Sequence, residues 1–461
     1  MRALLLALLA TTSLSAGHAM AQTRFEATLD GHAILPAMTA ALPPADAPRD
    51  AMVAGKFTGP GNRRTDAVGS LPTTTGPAPE GRPTGIPLPM VGQAVQGFSG
   101  IKPVTGEPGA YWVLTDNGFG NKRNSSDAML MFHKIRPDFS TGQVTVERTV
   151  FLSDPDRKVP FRITYEGTEH RYLTGADFDP ESIQPVGDGF WIGEEFGPFL
   201  IEVDGQGRVR RVVDTVIDGK PVMSPDNPAL QVPASPAATV TFQSQRSGGF
   251  EGMAQSPDGS RLFALLEKPL LSPQGQPEGR FLRIAEFDPA RGAWTGRVMR
   301  YAYAEGQTSI GDFNMIDDRR ALIIDRDDGE GDPSLACAAG QTPQSTDNAC
   351  FATPARLKRI TLVDLGATDE QGFVRKIGYI DLMQIRDPDN KARDRGDRAA
   401  SAPGDQLSFP FVTIENVAMV DADHIIVAND NNFPFSAGRR LTRADNNEFV
   451  LLRVSELLRA R

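Results

Sequence analysis

The sequence predicts an all-β fold, a β-propeller with five blades legible and a sixth possible. Two observations predict it: a two-strand unit that recurs with acidic residues at matching offsets, and a composition rich in turn formers. The chain holds 45 Gly, 36 Pro and 25 Phe without coiled-coil periodicity, so short strands and many turns are favoured over long helices.

Each unit opens with a small or acidic residue beside an apolar one. A short strand follows, then a turn, then an apolar strand ending in acids or amides. Ser99-Gly100-Ile101 leads to Trp112-Val113-Leu114-Thr115-Asp116-Asn117, and Glu181-Ser182-Ile183 to Trp191-Ile192-Gly193-Glu194-Glu195. Glu251-Gly252-Met253 leads to Phe263-Ala264-Leu265-Leu266-Glu267-Lys268, and Asp312-Phe313-Asn314 to Leu322-Ile323-Ile324-Asp325-Arg326. Glu415-Asn416-Val417 leads to Ile425-Ile426-Val427-Ala428-Asn429-Asp430. Further strand candidates stand behind each pair, at Met129 to Ile135, Leu200 to Val203, Phe281 to Phe287, Leu357 to Val363 and Phe449 to Val454. Repetition of such units is the mark of blades around an axis. A sixth blade has room between Asp312 and Glu415, or within residues 22–90. The strand-like stretch near Phe25 is placed to close the ring on the last blade, which removes an exposed edge.

Three segments follow. Residues 1–21 read as a secretory leader: Arg2, a short apolar run from Ala3 to Ala10, and Ala19-Met20-Ala21 before a cut at Gln22. Residues 22–90 read as a strand and a Pro/Gly-rich irregular stretch, and residues 91–461 as the propeller. The apolar run is too short to cross a bilayer, so no membrane span is expected, and the product is a periplasmic or secreted monomer. Export makes a disulfide between Cys337 and Cys350, the only cysteines, the favoured pairing. A net charge of −10 and the lack of a basic stripe argue against nucleic acid as a partner, and an anionic small-molecule substrate would need a cation or a local basic cluster to be held.

In a propeller, residues at one offset of the innermost strands converge on the channel. Glu181, Glu251, Asp312 and Glu415 take that offset, with Ser99 in the remaining unit. Carboxylates crowded this way repel, and a divalent cation relieves them; hard oxygens suit calcium. Asp325 and Asn429 join them as candidate ligands, and Asp116, Asn117, Glu194, Glu195, Glu267 and Asp430 are further strand-end donors. The alternative is that these acids cap turns or pair with arginines. Asp325-Arg326-Asp327-Asp328-Gly329 resembles the start of an EF-hand loop, but Gly329 comes one position early and Ala336 stands where the closing Glu belongs. Cys350 and Arg356 have the spacing of a cysteine phosphatase without its His or glycines, and Gly97-Phe98-Ser99-Gly100-Ile101 misses the nucleophile elbow by its last residue.

Taken together, Thr115-Asp116-Asn117-Gly118-Phe119-Gly120, Asp179-Pro180-Glu181-Ser182-Ile183, Gly193-Glu194-Glu195-Phe196-Gly197-Pro198, Gly249-Phe250-Glu251-Gly252-Met253 and Glu415-Asn416 resemble the "esterase-like activity of phytase" family of exported bacterial proteins. The resemblance spans residues 90 to 455 and implies a phytase-like propeller with phosphoester or carboxylester hydrolysis. The expected chemistry is calcium-dependent hydrolysis of phosphate esters. Glu194 or Glu195 is the candidate base, and Asn117, Lys122, Arg123, Lys268 and Arg326 are candidates to hold the substrate. A lactonase or carboxylesterase on the same ring, or a non-catalytic binding propeller, stands as the alternative.

Overall fold

A computed structural model describes residues 22–235, 240–343 and 349–461, so the leader expected at residues 1–21 lies outside the described residues. Among these residues five antiparallel four-stranded sheets surround one axis. Blade 1 runs Phe98–Pro103, Tyr111–Thr115, Met131–Asp138 and Gln143–Phe151 from the axis outward. Blade 2 is Pro180–Val186, Gly189–Glu194, Phe199–Asp204 and Val209–Asp214. Blade 3 is Phe250–Gln255, Leu262–Leu266, Phe281–Asp288 and Ala293–Ala302. Blade 4 is Ser309–Met315, Arg320–Arg326, Lys358–Thr368 and Val374–Asp381. Blade 5 takes Ile414–Met419, His424–Asn429 and Asn447–Arg453 from the end of the chain. Each innermost strand packs on the next, and blade 5 returns to blade 1. The protein is a five-bladed propeller.

The N-terminus closes the ring in two places. Thr28–Leu35 is the outermost strand of blade 5, antiparallel to Asn447–Arg453, while Thr23–Phe25 runs parallel to the outer strand of blade 4. The closing strand is therefore the stretch after Phe25, and Phe25 itself seals the neighbouring blade. Among the described residues, the interval between Asp312 and Glu415 holds the rest of blade 4 and loops rather than a sixth blade. One of those loops is tied by the Cys337–Cys350 disulfide, with a Cα–Cα distance of 4.9 Å.

The cores lie between blades because alternate residues of a strand face opposite sides. Ala321 and Ile323 pack with Leu265 and Ile284 of blade 3, whereas Leu322 and Ile324 pack with Val417 and Ile425 of blade 5. Both faces are buried, which is why the second strands read as unbroken apolar runs. Burying each large aliphatic side chain contributes about 1.5–3 kcal/mol. No helix among the described residues is long and apolar enough to cross a membrane.

Residues 36–96 do not form a blade. Ala37, Ala54, Ile86, Leu88 and Met90 pack with Phe119 and Phe433 on the loops that leave Asp116 and Asp430. Fully buried Arg82 locks this segment in place, bonded to Glu80, Glu330 and the carbonyls of Ala437 (2.8 Å) and Leu441 (2.9 Å). The segment thus walls one end of the channel, the end at which the innermost strands begin.

Candidate functional site

At that end the ladder between first and second strands slips by a residue in every blade. In blades 2, 3 and 5 the skipped residue is Glu181, Glu251 or Glu415. A bulge frees a side chain from strand alternation and re-aims it. Here it turns the three carboxylates together, with oxygens of all three within 4.8 Å of one another. Ser99 completes the tier from blade 1, donating to Glu415 Oε2 at 2.9 Å.

Blade 4 breaks the tier. Ile310 pairs with Asp325 as Ile414 pairs with Asn429, so Gly311, not Asp312, stands at the glutamate position. Asp312 is one residue further on and deeper. Its Oδ1 accepts from Lys102 Nζ (3.1 Å), and its Oδ2 from the Ile101 (3.3 Å) and Val417 (3.2 Å) amides and Asn314 Nδ2 (2.9 Å). The expectation that Asp312 joins the acidic ring is corrected accordingly: a shift of one residue changes the facing of a strand side chain.

A second tier comes from the ends of the second strands, where Asp116, Glu195, Glu267, Arg326 and Asp430 are equivalent. Asp179, one residue before blade 2, adds a further carboxylate. It forms a triad with Glu181 and Glu195, and Glu195 forms another with Glu251 and Glu267, each within 4.8 Å. All of these side chains are buried except Asp116, which is partly exposed. Arg326 sits among them with its Nη2 at 3.0 Å from Glu267, 3.2 Å from Glu415 and 3.6 Å from Glu251. Lys268 Nζ lies 3.2 Å from Glu267 and donates to Ser309 Oγ at 2.9 Å.

Burial, and then mutual repulsion, raises the pKa values of Glu181, Glu195, Glu251, Asp116 and Asp430. Burial also lifts Asp179, to about 6, against hydrogen bonds from Glu181 and Asn117. Glu415 is raised by burial while Arg326 pulls it back, and Arg326 in turn is held charged by Glu415, Glu267 and Glu251 against its own burial. Glu195 Oε1 and Glu251 Oε1 are buried without a hydrogen-bond partner. Clustered acids with unmet oxygens fit a hard divalent cation in donor type and number.

A family model described as "Phytase-like: Esterase-like activity of phytase" matches residues 93–433, well over half of the chain. The chain belongs to the phytase-like family. The match covers the innermost strands of all five blades and both tiers of acids. An "Uncharacterized secreted protein" of Arthroderma benhamiae is 30% identical over 122 residues, 24% of this chain and 24% of that protein. The chain therefore matches about a quarter of the length of that curated relative. Solved structures with which it aligns include the Dos1 propeller, at 9% identity and TM-score 0.28 over 81% of this chain and 71% of that one. Another is the arabinanase of Bacillus subtilis, at 10% identity and TM-score 0.31 over 77% and 92%. At those scores the fold rests on the phytase-like chain's own closed ring of strands.

Apart from Asn117, which bonds to Asp179, the other predicted site residues lie outside the acid cluster. Glu194 is one position from Glu195 and turns into the blade, where it accepts from the Phe196 (2.8 Å) and Gly197 (2.7 Å) amides; burial lifts it to about 8. Asp325, equivalent to Glu194, is bonded to Tyr301, Gln307 and Thr361 between blades. Asn429, at the same position, joins Asn446 and the Glu448 amide. Asn117 holds Asp179 with both its amide (3.2 Å) and its Nδ2 (2.7 Å). Lys122 Nζ lies 5.1 Å from the Phe196 ring centroid and donates to the Asp226 carbonyl, and Arg123 beside it is exposed. The EF-hand-like turn is a salt-bridged corner, with Asp327 3.0 Å from Lys358 Nζ and accepting from the Arg356 and Leu357 amides. A cavity of about 620 Å³ formed by residues 217–222, 240–243 and 270–278 contains none of the ring acids.

Asp179 escapes sequence reasoning because its equivalents are Gly97, Gly249, Ser309 and Thr413, so no repeat of acids marks it. Only its place in the motif Asp179-Pro180-Glu181 sets it apart.

Proposed function

We propose that the protein is an exported calcium-dependent hydrolase of phosphate esters, acting as a monomer at the acidic mouth of its channel. The observation that carries this is the cluster of buried carboxylates in which Glu195 and Glu251 keep oxygens without partners, next to the cation Lys268. Export is supported by the leader-like start of the chain and by the secreted relative. The phosphate ester is favoured by membership of the phytase-like family.

Asp179, Glu181 and Glu195 would hold calcium, which when bound supplies Lewis acidity that polarises a phosphoryl group and favours ionisation of water. Glu195 accepts the proton of the attacking water, and the new P–O bond forms as the ester P–O bond breaks. The leaving alkoxide takes up that proton through solvent at the channel mouth to become the alcohol, which returns Glu195 to the carboxylate. Lys268 steadies the phosphate oxygens, and Lys122 and exposed Arg123, outside the acid cluster, add attraction for an anion. Arg326 is engaged by three carboxylates and is left out of substrate binding.

Purified full-length protein assayed on a phosphomonoester, phytate, an aryl acetate and a lactone, with chelator and with added calcium, tests this. Phosphate release that chelator abolishes and calcium restores is the expected result. Glu195→Gln lowers kcat by about 10²-fold or more, whereas Glu194→Gln costs stability and leaves the folded fraction active. Turnover of acetate or lactone alone replaces the phosphate ester with a carboxylester. Silence on all four, with calcium still raising Tm, leaves a binding propeller and ends the enzymatic reading.

A further inference from the structure

We infer that the mouth takes one divalent cation, lodged among Asp179, Glu181 and Glu195, and that Arg326 is a built-in cation filling the opposite half of the ring. This presupposes the calcium-dependent function proposed for the same mouth, and it adds how many cations the site takes and which acids hold them.

The ring is divided by charge. Among the described residues, no Lys, Arg or His nitrogen comes within 4.0 Å of Asp116, Asp179, Glu181, Glu195 or Asp430, whereas Arg326 alone reaches Glu251, Glu267 and Glu415. Glu267 has a second cation in Lys268 at 3.2 Å. These neutralised acids come from blades 3 and 5, the two neighbours of blade 4, while the Asp179–Glu181–Glu195 triad comes from blade 2.

The backbone explains why blade 4 supplies a guanidinium here. Gly311 holds the glutamate position, and a Cβ added there would stand 2.1 Å from the Ile414 carbonyl oxygen, so no side chain fits. Arg326 serves the same region from the second strand, its Nε anchored on the Ile310 carbonyl at 3.0 Å. Tethered this way, the guanidinium carries a fixed positive charge that a free cation would have to displace. Desolvated like-charge approach is costly, which excludes a second cation from the Glu251–Glu267–Glu415 half. The blade 2 half has no cation within 4.0 Å among the described residues, Lys268 acting on Glu195 only from further away. It holds the buried Glu195 Oε1, which like Glu251 Oε1 across the ring has no hydrogen-bond partner. A hard divalent cation of calcium's ligand preference is what that triad would take.

Calorimetric titration of calcium chloride into the metal-free full chain, with thermal unfolding alongside, decides it. One calcium per chain is expected. Glu195→Gln weakens binding by at least about tenfold, while Glu267→Gln changes it by less than about threefold. Arg326→Met frees the second half and raises the count to two. Two calcium ions bound with Arg326 intact, a Glu267→Gln loss as large as that of Glu195→Gln, or a folded Arg326→Met variant still binding one, each overturns the inference. Should Arg326→Met fail to fold, the two glutamine variants decide alone. A wild-type chain that neither binds calcium nor shifts in Tm brings down the calcium-dependent function as well, whereas binding with the wrong count or ligands brings down this inference only.

Discussion

Asp312 and Lys102 are the pair on which the interior of the channel depends. The ammonium is buried, and burial lowers its pKa against the opposing pull of Asp312. Removing one partner of a buried ion pair leaves an uncompensated charge, so Asp312→Ala is expected to cost about 3–5 kcal/mol in urea unfolding. The double change Asp312→Leu with Lys102→Met removes both charges and should recover most of that loss; equal destabilisation of the single and double variants would show that the pair does not carry the stability. Ser99 shows the opposite economy, one hydroxyl donating to Glu415 where blades 2, 3 and 5 place acids. Each such position is readable as a polar residue in a strand, but its partner lies hundreds of residues away and has no local trace.

At the scale of elements, the decisive features are the bulges and the closing strand. Three bulges carry glutamates into the channel, whereas ordinary strand alternation suffices to give Glu194 and Glu195, adjacent in sequence, different surroundings. The closing strand Thr28–Leu35 covers the edge of Asn447–Arg453 and is pinned by Asp30, whose carboxylate meets Lys391 (2.8 Å), Arg453 (3.0 Å) and His424 (3.1 Å). A chain lacking residues 22–35 exposes that edge and the apolar face around Leu29 and Ala33, and is expected to aggregate on gel filtration at concentrations where the intact chain is monodisperse. A monodisperse, cooperatively melting truncated chain would show that the ring does not need this strand.

For the whole molecule, the acidic mouth couples stability to pH and to calcium. Asp179 titrates near 6 and Glu194 near 8 in the folded chain, both raised above their unfolded values by burial. A raised carboxyl means that the folded state holds the proton more tightly, so its stabilisation is full at low pH and is lost as pH rises through the folded pKa. The metal-free protein is therefore expected to lose Tm between about pH 4 and about pH 8, and added calcium to restore more at the upper end than at the lower. Glu448 opposes this at acid pH: Arg439 and His32 overcome its burial and hold it at about 2, so its contribution fades below about pH 4.5. Thermal melts in chelator and in calcium across that range check the sign; a metal-free Tm that climbs steadily towards pH 8 would contradict it.

The sequence by itself determined the all-β class, the five repeats and the disulfide pair, because turn residues, apolar runs and cysteine count are local or compositional properties. It also placed Glu181, Glu251 and Glu415 at one offset, since a repeated unit repeats its exceptions. Only the tertiary structure decided that blade 4 offers Gly311 at that offset and sends Asp312 deeper, that Asp179 joins the cluster, and that Arg326 answers three acids from two other blades. Those outcomes depend on register and on distances across the axis. A register slip of one residue leaves the string of letters almost unchanged while turning every affected side chain to another neighbour.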